Sequence, residues 1–173
     1  AVEGLRIIHP DINTLPIVIA ILFILFAIQR LGTNIVGGFF GVLVLIWFSM
    51  IGGFGFYSIL SDPTILKAIN PIYAYQLLAH YPQGFWLLGA VFLCTTGAEA
   101  LYSDLGHCDR KSIRLGWSFV KTALLLNYFG QGAWLLSSSS GLILDREINP
   151  FYSIVPDWFL LPSIAIATAA TVI

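Results

Sequence analysis

Residues 35–60 contain no Asp, Glu, Lys or Arg. A helix rising about 1.5 Å per residue crosses the hydrocarbon of a bilayer in about 20 apolar residues. This run is long enough to do so, and inside lipid each backbone amide has to be satisfied within its own helix. Four further stretches are mostly apolar: 15–31, which ends at Arg30-Leu31, 84–105, in which Glu99 is the one charge as far as Tyr102 and Asp104 follows, 115–136 with Lys121, and 158–173, which is still apolar at Ile173. Apolar residues make up 58% of the chain and charged residues 10%, against roughly 25% charge in soluble domains. The expected fold is all-α: one membrane-embedded region, a polytopic transmembrane helical bundle of five spans that is incomplete at both ends.

The same composition removes other classes. A formal net charge of −1 gives no electrostatic footprint for nucleic acid. No signal peptide is visible ahead of the first span. Cys94 falls mid-span and Cys108 in a loop, so neither a disulfide nor a metal site is read from them. No Ser-His-Asp set, phosphate-cradling glycine loop or zinc pattern occurs, and His107 and Cys108 beside Asp104 and Asp109 have no convincing metal spacing. An enzyme and a bound cofactor are therefore not expected. The loops after the first and third spans carry Arg30, Arg110, Lys111 and Arg114, against Arg6, Lys67 and Arg146 on the other side, which favours the first side as cytoplasmic. The outer loops, 61–83 and 137–157, hold the turn signals Asn70-Pro71 and Asn149-Pro150. Tyr73, Tyr75, Tyr81, Phe85 and Trp86, and then Phe151, Tyr152, Trp158 and Phe159, are read as interfacial aromatic belts.

Glu99 carries the functional signal. A carboxylate at membrane depth costs about 3 kcal/mol on insertion scales, and it survives where it meets a cation, a proton or water. Thr95 and Thr96 precede it, with Gly97 between. Threonine hydroxyls and a carboxylate are hard oxygen ligands, suited to an alkali cation or a proton. Gly97 suits a helix break that frees backbone carbonyls near the midplane, where transporter sites commonly lie. Thr96, Glu99 and Tyr102 follow one another at a spacing of three, on one helix face. The bland alternative for Glu99 is a protonated acid that aids packing. Glu3, on chemistry alone, reads as a solvated surface acid. Asn127, Tyr128 and Gln131, among Gly130 and Gly132, interrupt the fourth span with polar groups; they serve either helix packing or a polar pathway. Lys121 is placed to snorkel toward the interface at Arg114. Gly37-x-x-x-Gly41 is a weak close-packing motif.

The ordered landmarks resemble the KUP/HAK/KT family of potassium uptake permeases. They are Ala1-Val2-Glu3-Gly4-Leu5; Gln29-Arg30-x-Gly32-Thr33; Val36-Gly37, Phe40-Gly41 and Trp47-Phe48; Asn70-Pro71-x-Tyr73-Ala74; Thr96-Gly97-Ala98-Glu99-Ala100-Leu101-Tyr102-x-Asp104-x-Gly106-His107; Leu126-Asn127-Tyr128-Phe129-Gly130-Gln131-Gly132-Ala133; and Asn149-Pro150-Phe151-Tyr152 with Pro156-Asp157-Trp158. Val42 departs from the proline many members have there, and Lys121 from an apolar residue.

The resemblance implies a fragment running from the end of helix three through helix eight of a LeuT-like inverted-repeat transporter in the amino-acid/polyamine/organocation superfamily, without the helix-one acid of its cation site. It implies secondary uptake of K⁺ with H⁺ across the cell (inner or plasma) membrane, in a multi-pass protein whose partners are K⁺, the proton and the lipid bilayer, with a homodimer left open. Thr96 and Glu99 then hold the cation and couple the proton, with Thr95 and Tyr102 beside them. Glu3 is moved from the surface onto helix three, facing the cation pathway. No metal other than K⁺ is implied. The alternatives are an amino-acid or organic-cation permease of the same superfamily and a potassium channel, although the repeated Thr-Val-Gly-Tyr-Gly filter a channel would present is absent from the sequence.

Overall fold

A computed structural model describes residues 13–29, 33–95, 109–138 and 149–172. Among the described residues the chain is helical, with no strand, as the charge-free runs require. Helix α1 spans Thr14–Gln29 and α2 spans Thr33–Ser61; a 3₁₀ turn at Pro63–Ile69 leads to α3, Pro71–His80, and α4, Gly84–Thr95. Helix α5 covers Arg110–Ser138, α6 is the short Pro150–Ser153, and a 3₁₀ turn at Asp157–Phe159 opens α7, Leu160–Val172. Among the described residues, one segment, Phe40–Ser61 within α2, is both long and apolar enough to cross a membrane by itself. Helix α5 matches α2 in length, 29 residues each, but is less apolar. The expected stretch 84–105 is covered by α4 as far as Thr95, and its remainder lies outside the described residues.

Local chemistry explains the helix starts. The Asn13 side chain accepts a hydrogen bond from Leu15 N–H at 3.1 Å, capping α1. Asn70 and Asn149 do the same for Ile72 and Phe151, each at 3.1 Å, and each is followed by proline at the first helical position. The two Asn-Pro pairs, expected as turns, therefore start helices: asparagine satisfies an orphan amide, and proline needs none and already has a helical φ.

The chain divides into two compact units, residues 1–62 with 123–173, and residues 63–122. In the second, α3 and α4 meet through a tight turn at Gly84. A side chain on Gly84 would begin 3.2 Å from the Leu77 carbonyl oxygen and the Leu78 Cα. Tyr73, Tyr75, Tyr81, Phe85 and Trp86 are all exposed there. Lys121 places its ammonium 5.1 Å from the centroid of the Trp117 ring, one turn back toward Arg114.

In the first unit the core is Met50, Ile51 and Ala123, enclosed by Trp47, Phe54, Phe159 and Ile166. Residues 149–159 do not stay at the end of α2 as an outer loop would. Phe151 stacks at 5.5 Å on Trp47, and Phe159 at 5.5 Å on Phe54. Trp47 lies roughly 20 Å along the axis from the C-terminal end of α2, at about 1.5 Å per residue. The belt reading thus fails for most of this group. Tyr152 is buried, Phe151 and Phe159 are half-buried, and Trp158 alone of the four is fully outward at 79% exposure. The rings fill a face of α2 that small residues do not close.

Candidate functional site

Helices α2 and α5 meet along a line of small residues. A Cβ on Gly52 would come within 3.3 Å of the Ala123 Cα, and one on Gly55 within 2.7 Å of the Asn127 Cα and 2.6 Å of the Leu126 carbonyl carbon. Reciprocally, a Cβ on Gly130 would lie 2.6 Å from the Gly55 carbonyl oxygen and abut its Cα. No side chain fits between the two backbones here. Ser58 Oγ then donates to the Gly130 carbonyl at 2.8 Å. The pairs 52–123, 55–127 and 58–130 advance together, so the two helices run side by side in the same direction.

The face of α5 that α2 covers carries Ala123, Asn127, Gly130 and Ala133, all buried. Asn127 retains 5% of its surface, and among the described residues its Oδ1 finds no hydrogen-bond donor. A buried amide oxygen left unpaired is costly, so the crossing holds an unmet polar demand at Asn127.

The expected site residues separate cleanly. Glu3, Thr96, Gly97, Glu99 and Tyr102 lie outside the described residues, and the expected helix break at Gly97 lies there with them. Thr95 is the last residue of α4. Of the fourth-span group, Asn127 is at the crossing, Gln131 is half-buried one turn on, and Tyr128 is exposed, so these three do not share one surface. Helix α5 runs continuously through them, from Arg110 to Ser138. The glycines that bring helices together are Gly55 and Gly130. A Cβ on Gly41, of the motif singled out in the sequence, would meet nothing within 4 Å. The missed signal was Gly52-x-x-Gly55-x-x-Ser58, small residues at helical spacing on one face. Among the described residues no group of three His, Cys, Asp or Glu could hold a metal ion.

Comparison with known proteins gives the context for this crossing. The family model described as the K⁺ potassium transporter integral membrane domain matches residues 1–173. A probable potassium transport system protein Kup of Cytophaga hutchinsonii is 57% identical over 178 residues, covering 100% of this chain and 27% of the relative. The proteins of the same description from Flavobacterium psychrophilum, 55% identical over 176 residues, and Chlorobaculum tepidum, 51% identical over 177, are covered to 27% and 28% of their lengths, again with 100% of this chain. The chain thus spans little more than a quarter of the curated relatives it matches. No solved structure matches it. This is a membrane protein sequence, and the chain belongs to the family of K⁺ potassium transporter integral membrane domains.

Proposed function

We propose that this chain is part of a secondary transporter that takes up K⁺ together with H⁺ across the cell membrane. The observation that carries the reading is the family match over all of residues 1–173, joined to relatives whose printed description is potassium transport. Residues 15–31, 35–60, 84–105, 115–136 and 158–173 cross the bilayer within a LeuT-like inverted repeat. The same-direction packing of α2 and the second half of α5 supports this order: two such helices require the chain to cross back between them, and residues 84–105 supply that crossing. The exposed apolar side chains of α1 and α4, among them Phe23, Phe85, Trp86 and Phe92, suit lipid or further protein and do not suit water.

The chemistry follows from the oxygen donors. A K⁺ ion that leaves water loses part of its hydration shell. The hydroxyls of Thr95 and Thr96, carbonyls freed beside Gly97 and the Glu99 carboxylate replace it, with Tyr102 one turn beyond. Glu99 takes a proton on the outer side and releases it on the inner side, and Glu3 supplies a second acid facing the same path. No step calls for a cofactor or covalent chemistry, so the protein is not an enzyme. A full-length protein carrying this segment is expected to restore growth of a K⁺-uptake-deficient cell at low external K⁺. Growth no better than the empty vector, with the protein present in the membrane, would contradict the reading. Uptake driven by an amino acid or organic cation in place of K⁺ would support a permease of the same superfamily.

A further inference from the structure

We propose that the N-terminal end of α5 docks the phosphodiester headgroup of an anionic phospholipid, held by Arg110, Lys111 and Arg114; this rests on the reading above that residues 115–136 cross the bilayer. Four of the chain's eight basic residues fall within 110–121. Asp109 is the one acid between 109 and 138, so that stretch carries a net +3, four bases less one acid, in a chain whose total is −1. Arg110, Lys111, Arg114 and Lys121 are exposed, and among the described residues none of them meets a carboxylate. No acid stands in the first turn of α5. The cations therefore crowd the positive end of the helix dipole, where a basic side chain is disfavoured and an anion is favoured.

Depth and spacing select a lipid as the source of that anion. At about 1.5 Å per residue, 115–136 is about 33 Å long and fills the hydrocarbon. Arg110 to Arg114 then stand in the headgroup layer, where phosphodiesters are the anions at hand. Trp117 follows at the boundary, a depth that tryptophan favours. Arg110, Arg114, Trp117 and Lys121 recur at steps of four, three and four, which keeps them within about 60° of one side of α5. The Lys121 ammonium lies 5.1 Å from the Trp117 ring centroid, so this deeper cation is turned back along the stripe toward the headgroups. An arginine fork offers two parallel N–H donors to two phosphate oxygens, and lysine adds a point charge beside them. A run of bases serving only solvation has no need of one helix side or of an interfacial ring among them.

The test uses a full-length protein carrying this segment, in uncharged detergent. Its melting midpoint is followed as short-chain phosphatidylglycerol, or phosphatidylcholine of the same chain length, is added. Each base near an anionic lipid surface is worth about fivefold in affinity. The parent is expected to bind phosphatidylglycerol at least about tenfold more tightly than phosphatidylcholine. The joint variant Arg110→Gln, Lys111→Gln, Arg114→Gln should cut that preference by at least about fivefold, and Arg110→Lys with Arg114→Lys should keep most of it. Equal affinity of the parent for the two lipids would overturn the proposal, as would an undiminished preference in the joint glutamine variant. Inorganic phosphate that stabilises the parent as well as phosphatidylglycerol does would overturn the assignment to a lipid. If the joint variant does not accumulate, Arg110→Gln and Arg114→Gln singly decide, and an unchanged preference in both overturns the proposal. Labelling of Lys111→Cys and Ser138→Cys from the same side by a membrane-impermeant maleimide would instead overturn the crossing of 115–136. Absence of ⁸⁶Rb⁺ uptake by the parent would overturn the uptake reading and leave this site standing.

Discussion

On the side of α2 that meets α5, nothing larger than hydrogen separates the backbones at Gly55 and Gly130; on the side that meets residues 149–172, the contact is made by rings. Trp47 meets Phe151 and Phe54 meets Phe159, both with centroids 5.5 Å apart, and beside Phe159 an apolar groove of about 620 Å³ stays open along Leu45, Met50 and Tyr57. A glycine contact has no slack, because any added atom must displace backbone. A ring contact tolerates loss, because neighbouring side chains can relax into the space. In a bilayer the first kind is the natural glue, since lipid tails remove the hydrophobic gain of burying large side chains between helices. The second kind belongs where a shorter segment is laid against an already formed helix.

That contrast can be broken from either side, in the full-length protein, by measuring detergent-solubilised yield and melting midpoint. Gly130→Ala places its Cβ 2.6 Å from the Gly55 carbonyl oxygen and 2.9 Å from its carbonyl carbon. It should destabilise by about 3 kcal/mol, the upper end for overpacking, and remove most folded protein. A normal yield and midpoint would show that the crossing can open. Phe159→Ala, at a half-buried ring, should cost about 2 kcal/mol, below the cost at a fully buried aromatic. A loss equal to that of Gly130→Ala would erase the distinction between the faces. Ser58→Ala removes one interhelical hydrogen bond and should cost about 1 kcal/mol. Gly53→Ala, where an added Cβ meets nothing within 4 Å, should be neutral or gain up to about 1 kcal/mol from better helix propensity. A clear loss there would mean that α2 is covered on a side the described residues leave open.

The helices were legible because long charge-free runs leave the backbone no other way to satisfy its amides in lipid. The caps were half-legible. Asn70-Pro71 and Asn149-Pro150 mark the breaks in sequence, but the same pair that ends one element starts the next, and only the bond from Asn Oδ1 to the amide two residues on decides which. The glycine seam was not legible. The chain has 16 glycines, and nothing in the spacing of Gly37 and Gly41 announces that an added Cβ at Gly41 would meet open space while Gly55 meets a partner 75 positions along the chain. The aromatic residues near 151–159 read as an interface belt because composition cannot tell a ring that faces headgroups from one that lies back along a helix. Glu99 stood out for a different reason: its cost at membrane depth is a property of the residue and the run around it, and needs no partner to be seen.

Glu99 is the residue on which the proposed coupling of K⁺ to H⁺ depends most. In a full-length protein carrying this segment, Glu99→Gln keeps the size and most of the hydrogen-bonding capacity of the side chain while removing its charge and its titratable proton. The decisive measurement is the initial rate of ⁸⁶Rb⁺ uptake across external pH, normalised to the amount of protein in the membrane. Uptake should fall by at least about a hundredfold, the size of removing one acid–base group, with near-normal membrane abundance, and the residual rate should no longer depend on pH. Uptake within about twofold of the parent, with the parent's pH dependence, would show that the carboxyl only packs and that the coupling site lies elsewhere.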